Sequence, residues 1–192
     1  MACPDCALRS QGVSRVLAAF DYDVPMGKAL LGRFKWGRQF LLSRALAELM
    51  VAEVRRHAGF LDADGGAYVL VPVPSRRLSL RERGFSPSAE LAKVLSRELR
   101  LPCRMGYLLR QSDGPRQTGK GRRQRLAMAD TDVYRCRNVP VGARVLLVDD
   151  VMTTGATLHQ AATALRQAGA AQVLAVVLAR APMRSVSHEQ VL

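Results

Sequence analysis

The chain has 192 residues, 48% of them hydrophobic, which suits one domain with a sizeable core. No uninterrupted apolar run is long enough to span a bilayer and the amino terminus lacks the regions of a signal peptide, so the expected location is the cytoplasm. The 29 Lys plus Arg against 16 Asp plus Glu leave a net charge of +13, carried mostly by arginine; a phosphate-bearing partner and a merely arginine-heavy composition both account for it.

In chain order, Cys3-Pro4-Asp5-Cys6 has the spacing of half a zinc knuckle, whereas a structural zinc needs four ligands. Cys103 and Cys136 fall in segments that read as parts of the main domain, and no disulfide signature is present for a cytosolic chain. Val13 to Asp23 alternates weakly and reads as a strand. Pro25 then starts an amphipathic helix through Ala29, Leu30 and the cluster Phe34-Lys35-Trp36. Core packing is the commoner fate of a lone tryptophan and is the expectation for Trp36; the alternative, beside Lys35 and Arg38, is stacking on a base.

Phe40 to His57 predicts a helix with Leu42, Leu46, Leu49 and Met50 on one face and His57 as a solvated cap. After a loop at Gly59 to Gly66, Tyr68 to Pro74 predicts a strand that ends in prolines, with Ser75-Arg76-Arg77 at its carboxyl end. Leu80 to Gly84 leads into a helix through Ser86-Pro87, with Leu91, Leu95 and Leu99 as its buried stripe. Pro102 to Arg110 reads as a short strand. From Gln111 to Arg125 the chain is rich in Gly, Gln and Arg, which by itself is a solvated charge run.

Val145 to Thr157 organises the rest. Val145-Leu146-Leu147-Val148 predicts a buried parallel strand, Asp149 and Asp150 stand at its carboxyl end, and Thr153-Thr154-Gly155-Ala156-Thr157 runs into an amphipathic helix. Open α/β sheets bind ligands outside the carboxyl ends of their strands, so both carboxylates face a cleft. Neighbouring strand residues point to opposite faces, and the two acids therefore do different work. Hydroxyls, a glycine that lets amides approach, and a helix amino end favour a phosphate, with Thr157 the expected N-cap. Beyond the motif, Leu158, Ala161, Ala162 and Leu165 form a helix face ended by Gly169, Val173 to Leu178 predicts a strand buried on both faces, and Pro182 to Leu192 a frayed tail.

Val145 to Thr157 resembles the loop that binds phosphoribosyl pyrophosphate (PRPP) in type I phosphoribosyltransferases, and the order of motifs along the chain resembles the ComF/GntX family. That resemblance implies an α/β fold with a mainly parallel central sheet flanked by helices and a basic, flexible hood loop. It implies that Asp149 and Asp150 hold the ribose hydroxyls and serve catalysis, that Thr153, Thr154, Gly155, Ala156 and Thr157 cradle the 5′-phosphate, and that Ser75 and Arg76 hold pyrophosphate, commonly through a strained or cis peptide. Arg83-Gly84-Phe85 resembles the family's Arg-Gly-Phe-Asn-Gln element, with Ser86 and Pro87 in place of the amide pair. Arg116, Lys120, Arg122, Arg123 and Arg125 fall in the hood loop.

By the same resemblance Mg²⁺ accompanies PRPP, and Cys3 and Cys6 match the second pair of a four-cysteine zinc ribbon. The pair is expected to be metal-free in this chain, zinc requiring a longer amino terminus. The implied boundaries are a ribbon remnant at 1–12, a phosphoribosyltransferase-like domain at 13–182 and a tail at 183–192. The implied function is PRPP binding in the service of DNA uptake, with single-stranded DNA, other competence proteins and a second copy of the chain as partners. An active phosphoribosyltransferase with an unidentified acceptor and a PRPP-sensing regulator are the alternatives.

Overall fold

The computed structural model describes residues 12–23, 25–36, 42–57, 59–62, 67–111 and 133–181. Its elements are β1 (Val16–Asp21), α1 (Pro25–Trp36), α2 (Leu42–Arg56), α3 (Gly59–Asp62), β2 (Tyr68–Pro72), α4 (Arg77–Arg83), α5 (Pro87–Leu99), β3 (Leu108–Arg110), β4 (Tyr134–Cys136), β5 (Arg144–Met152), α6 (Ala156–Gln167) and β6 (Gln172–Arg180). Four strands form one sheet in the order β1-β6-β5-β2, every pair parallel; β3 and β4 form a separate antiparallel pair.

The continuous apolar runs of β5 and β6 follow from burial on both faces. Leu146, Val148, Leu174, Val176 and Leu178 pack against α1, α2 and α5, while Val145, Leu147, Val173, Ala175 and Val177 pack against α6 and the β3–β4 pair. Each fully buried Val or Leu contributes about 1.5–3 kcal/mol relative to an exposed one. These central strands therefore fix the layers, and the helices take positions that their stripes allow.

On α2 the buried set is Leu46, Ala47, Met50, Val51 and Val54. Leu49, expected on that face, is 47% exposed, because it lies off the stripe that Leu46, Met50 and Val54 define. The helix α5 starts with Pro87 at its first position after Ser86, as the Ser-Pro pair predicts. The segment Pro102 to Arg110 is less regular than expected: only Leu108–Arg110 forms a ladder, and Cys103 makes a single bridge to Leu70. The basic stretch after Arg76 forms α4, closed by Gly84 at φ 80°, a left-handed position that glycine takes without steric cost.

Two further expectations are corrected. Trp36 is 63% exposed rather than packed in the core. It is the last residue of α1, and the inward positions of that helix are already filled by Leu31 and Phe34. Thr157 does not cap α6: Gly155 is the N-cap residue, at φ 79°, and Thr157 lies inside the first turn. Among the described residues no helix is long and apolar enough to cross a membrane.

Candidate functional site

β5 carries Asp149 and Asp150 out of the core on opposite faces of the sheet. Asp149 continues the side of Val145 and Leu147, toward the β3–β4 pair; Asp150 continues the side of Leu146 and Val148, toward α1. There Lys35 Nζ lies 2.8 Å from Asp150 Oδ2, with the side chains 22% and 14% exposed. Asp149 Oδ1 accepts the Asp150 backbone N–H at 2.9 Å. Burial pushes the Asp149 carboxyl well above the ordinary range and the neighbouring Asp150 charge adds to the rise, opposed by that N–H and by Lys35. One acid is thus paired, and the other is held in an environment that resists its charge.

The turn after β5 supplies the second part. Thr153 and Thr154 are exposed, Gly155 takes its left-handed conformation, and α6 begins at Ala156 with no side-chain cap from the Gly155 position. The Ala156 N–H points at Thr154 Oγ1 over a long 3.4 Å. The positive end of a helix dipole and amides at a helix start are features that favour an anion.

Ser75 and Arg76 follow β2, next to β5 in the sheet. Their peptides are trans, for the described residues hold no cis bond, and Arg76 is extended at φ −62° and ψ 143°. Ser75 Oγ lies 2.9 Å from Ser86 Oγ, which lies 3.1 Å from Ser88 Oγ, and the Ser88 hydroxyl donates to the Val73 carbonyl at 2.5 Å. The residue that replaces an amide in the resembled Arg-Gly-Phe element therefore keeps a hydrogen-bonding role, tying the loop to the start of α5. A cleft of about 760 Å³ opens beside it, lined by Ser75, Arg77, Ser86, Arg110 and Arg135 among others.

Sequence reasoning did not foresee Tyr134 and Arg110. Arg110 Nη1 donates to the Tyr134 hydroxyl at 3.0 Å. Burial raises the Tyr134 phenol above its ordinary value against the pull of Arg110, and Asp149 and Arg76 lie close enough to act on it as well. The segment that holds Arg116, Lys120, Arg122, Arg123 and Arg125 joins the two strands of this pair; those residues, Cys3, Cys6, the remainder of 1–11 and the tail from Pro182 lie outside the described residues. Cys103 packs on the α5 face and Cys136 on the α6 face, so the sheet separates them. Lys35 was legible only as part of a basic cluster, since nothing local signals its pairing with Asp150.

A parallel sheet with two acids at the carboxyl end of a central strand, followed by a glycine turn into a helix, is the construction of a phosphoribosyl transferase domain, and that domain family matches residues 47–190. The chain is 31% identical over 187 residues to Competence protein F of Haemophilus influenzae, covering 93% of this chain and 78% of that protein. It is 30% identical over 186 residues to the DNA utilization protein YhgH of Escherichia coli K12, covering 94% and 78%, and 28% identical over 181 residues to the competence protein ComFC of Streptococcus pneumoniae, covering 93% and 74%. The chain belongs to the ComF family of phosphoribosyl transferase domain proteins.

Proposed function

We propose that this protein binds PRPP with Mg²⁺ in the cleft at the carboxyl end of β5 and serves the handling of incoming DNA in the cytoplasm. The observation that carries the ligand is the placement of Asp149 and Asp150 on opposite faces directly before the left-handed Gly155 turn into α6. Similarity to a competence protein and a DNA utilization protein supports the DNA role.

Each group has a job in this reading. Asp149 and Asp150 hold the two ribose hydroxyls from different sides, and the amides from Gly155 to Thr157 with the hydroxyls of Thr153 and Thr154 take the 5′-phosphate. Ser75, aimed by Ser86, and Arg76 take the pyrophosphate. A carboxylate with a raised pKa gains when positive charge develops nearby, and a cation-like sugar carbon supplies such charge as a pyrophosphate leaves. The donor set fits magnesium only as a guest of the ligand: among the described residues no group of three His, Cys, Asp or Glu forms a cage, and Asp150 is shared with Lys35. Asp149 or Asp150 would stand beside a Mg²⁺ that enters with the ligand, and the ion would supply charge neutralisation for the pyrophosphate.

Calorimetry of PRPP with Mg²⁺ tests the reading. Asp149→Asn combined with Asp150→Asn is expected to abolish the binding heat while circular dichroism stays native. Unchanged affinity in the double variant would sink the assignment.

A further inference from the structure

The carboxyl end of α1 is held from two sides. Phe34 is fully buried and its ring meets that of Phe85 at a centroid separation of 5.6 Å. Lys35, the next residue, pairs with Asp150. Between these anchors and the solvent stands Trp36, the single tryptophan of the chain, 63% exposed at the rim of the site. The Arg83 guanidinium carbon lies 4.5 Å from the indole centroid, and Arg83 Nε is buried with no hydrogen-bond partner among the described residues. That guanidinium backs the ring, where its cation meets the electron-rich face. A large aromatic group backed in this way is left open to water.

We propose that Trp36, backed by Arg83, is a stacking platform for a base of single-stranded nucleic acid. The openness of the indole selects this occupant. Small-molecule sites enclose about 70–90% of their ligand, whereas a ring with this exposure receives a flat group from outside. A base in a duplex has its faces covered by its neighbours, and only an unpaired strand offers one freely. The charge nearby suits the backbone: α4 carries Arg77, Arg81 and Arg83 against a single Glu82, and exposed Arg33 lies on the last turn of α1. Aromatic stacking with cations along the strand is the mode of sequence-tolerant single-strand binders. The platform rests on the DNA-handling reading for its choice of nucleic acid and is independent of whether PRPP binds.

The lone tryptophan is its own reporter. The full chain is titrated with a labelled thymidine 20-mer, following strand anisotropy and indole emission together at fixed salt. The expected result is saturable quenching that tracks the anisotropy, with Trp36→Ala weakening the strand about tenfold or more and Trp36→Phe retaining most of the affinity. The salt slope should persist in Trp36→Ala, since phosphate contacts set it. If the strand binds while emission stays constant and Trp36→Ala binds like the parent, the platform is overturned and the DNA role stands. Quenching by free thymidine monophosphate at the concentration that saturates with the strand overturns the strand as ligand. Absence of strand binding at low salt removes both the platform and the DNA role, leaving the calorimetric PRPP test untouched.

Discussion

At the amino end of the central sheet Arg144 donates to Gln172 Oε1 at 2.8 and 3.0 Å and to the Tyr68 hydroxyl at 2.9 Å, and that hydroxyl donates to Gln172 Oε1 at 2.5 Å. These residues are direct cross-strand neighbours on β2, β5 and β6, and the guanidinium also lies over the Tyr68 ring. At the carboxyl end of the same strands Asp149 is held against its charge, Thr153 and Thr154 face water, and Gly155 takes a backbone conformation closed to most residues. One end spends its polar groups on each other and so pins the strand register. The other keeps its groups poorly satisfied, which costs stability and leaves them for a ligand.

The contrast breaks if damage to the first end reaches the second. Arg144→Ala removes three hydrogen bonds from the partly buried Tyr68–Gln172 pair and is expected to cost about 1–3 kcal/mol. In a chain of this size each kcal/mol reads as about 2–4 °C in Tm. PRPP affinity below the transition should not move; a parallel loss of affinity would show that the two ends act as one.

Asp149→Asn sharpens the contrast through its sign. An acid with a raised folded-state pKa favours folding while protonated: that stability is complete below its ordinary value of 3.8 and is lost as pH rises through the raised value. At neutral pH the group therefore opposes folding relative to a neutral side chain, and the asparagine variant should melt higher than the parent. The gain should shrink on acidification and vanish below the ordinary value. A variant that melts lower than the parent at neutral pH would mean that Asp149 is structural.

Ser86→Ala removes the tie on Ser75 and is expected to cost about 0.5–1.5 kcal/mol with a weaker PRPP heat, whereas an unchanged heat would free Ser75 of its role. The smallest effect belongs to neither end. Arg44 pairs with Glu48 on the exposed side of α2, and Arg44→Ala should shift stability by no more than about 0.5 kcal/mol in thermal melts.

The layers and the acid pair were legible because their signals are local. Val145 to Val148 and Val173 to Leu178 read as doubly buried strands without reference to the rest of the chain, and Ser86-Pro87 announces a helix start. What stayed hidden depends on meetings between distant segments. Tyr134–Cys136 is too short to show a period, and its role comes from Arg110 across the pair. Lys35 gains meaning only from Asp150, on another element. General burial tendencies favour a core position for Trp36 and do not register that Phe34 takes the inward position at the end of the helix. The strand expected from Pro102 failed for a local reason, since Pro102 lacks an amide for a ladder and Gly106 packs no side chain.

The position of β6 bears on how the protein is made. β1 is the first described strand, and among the described residues its only neighbour in the sheet is β6, the last described strand. As the polypeptide leaves the ribosome, Val16–Asp21 emerges early and waits for Gln172–Arg180, while β5 keeps one ladder unformed over the same interval. Closing so long a loop is slow, and the waiting edges are open to mispairing. The sheet is therefore complete only once Gln172–Arg180 has been made, and until then β1 and β5 each keep an open edge.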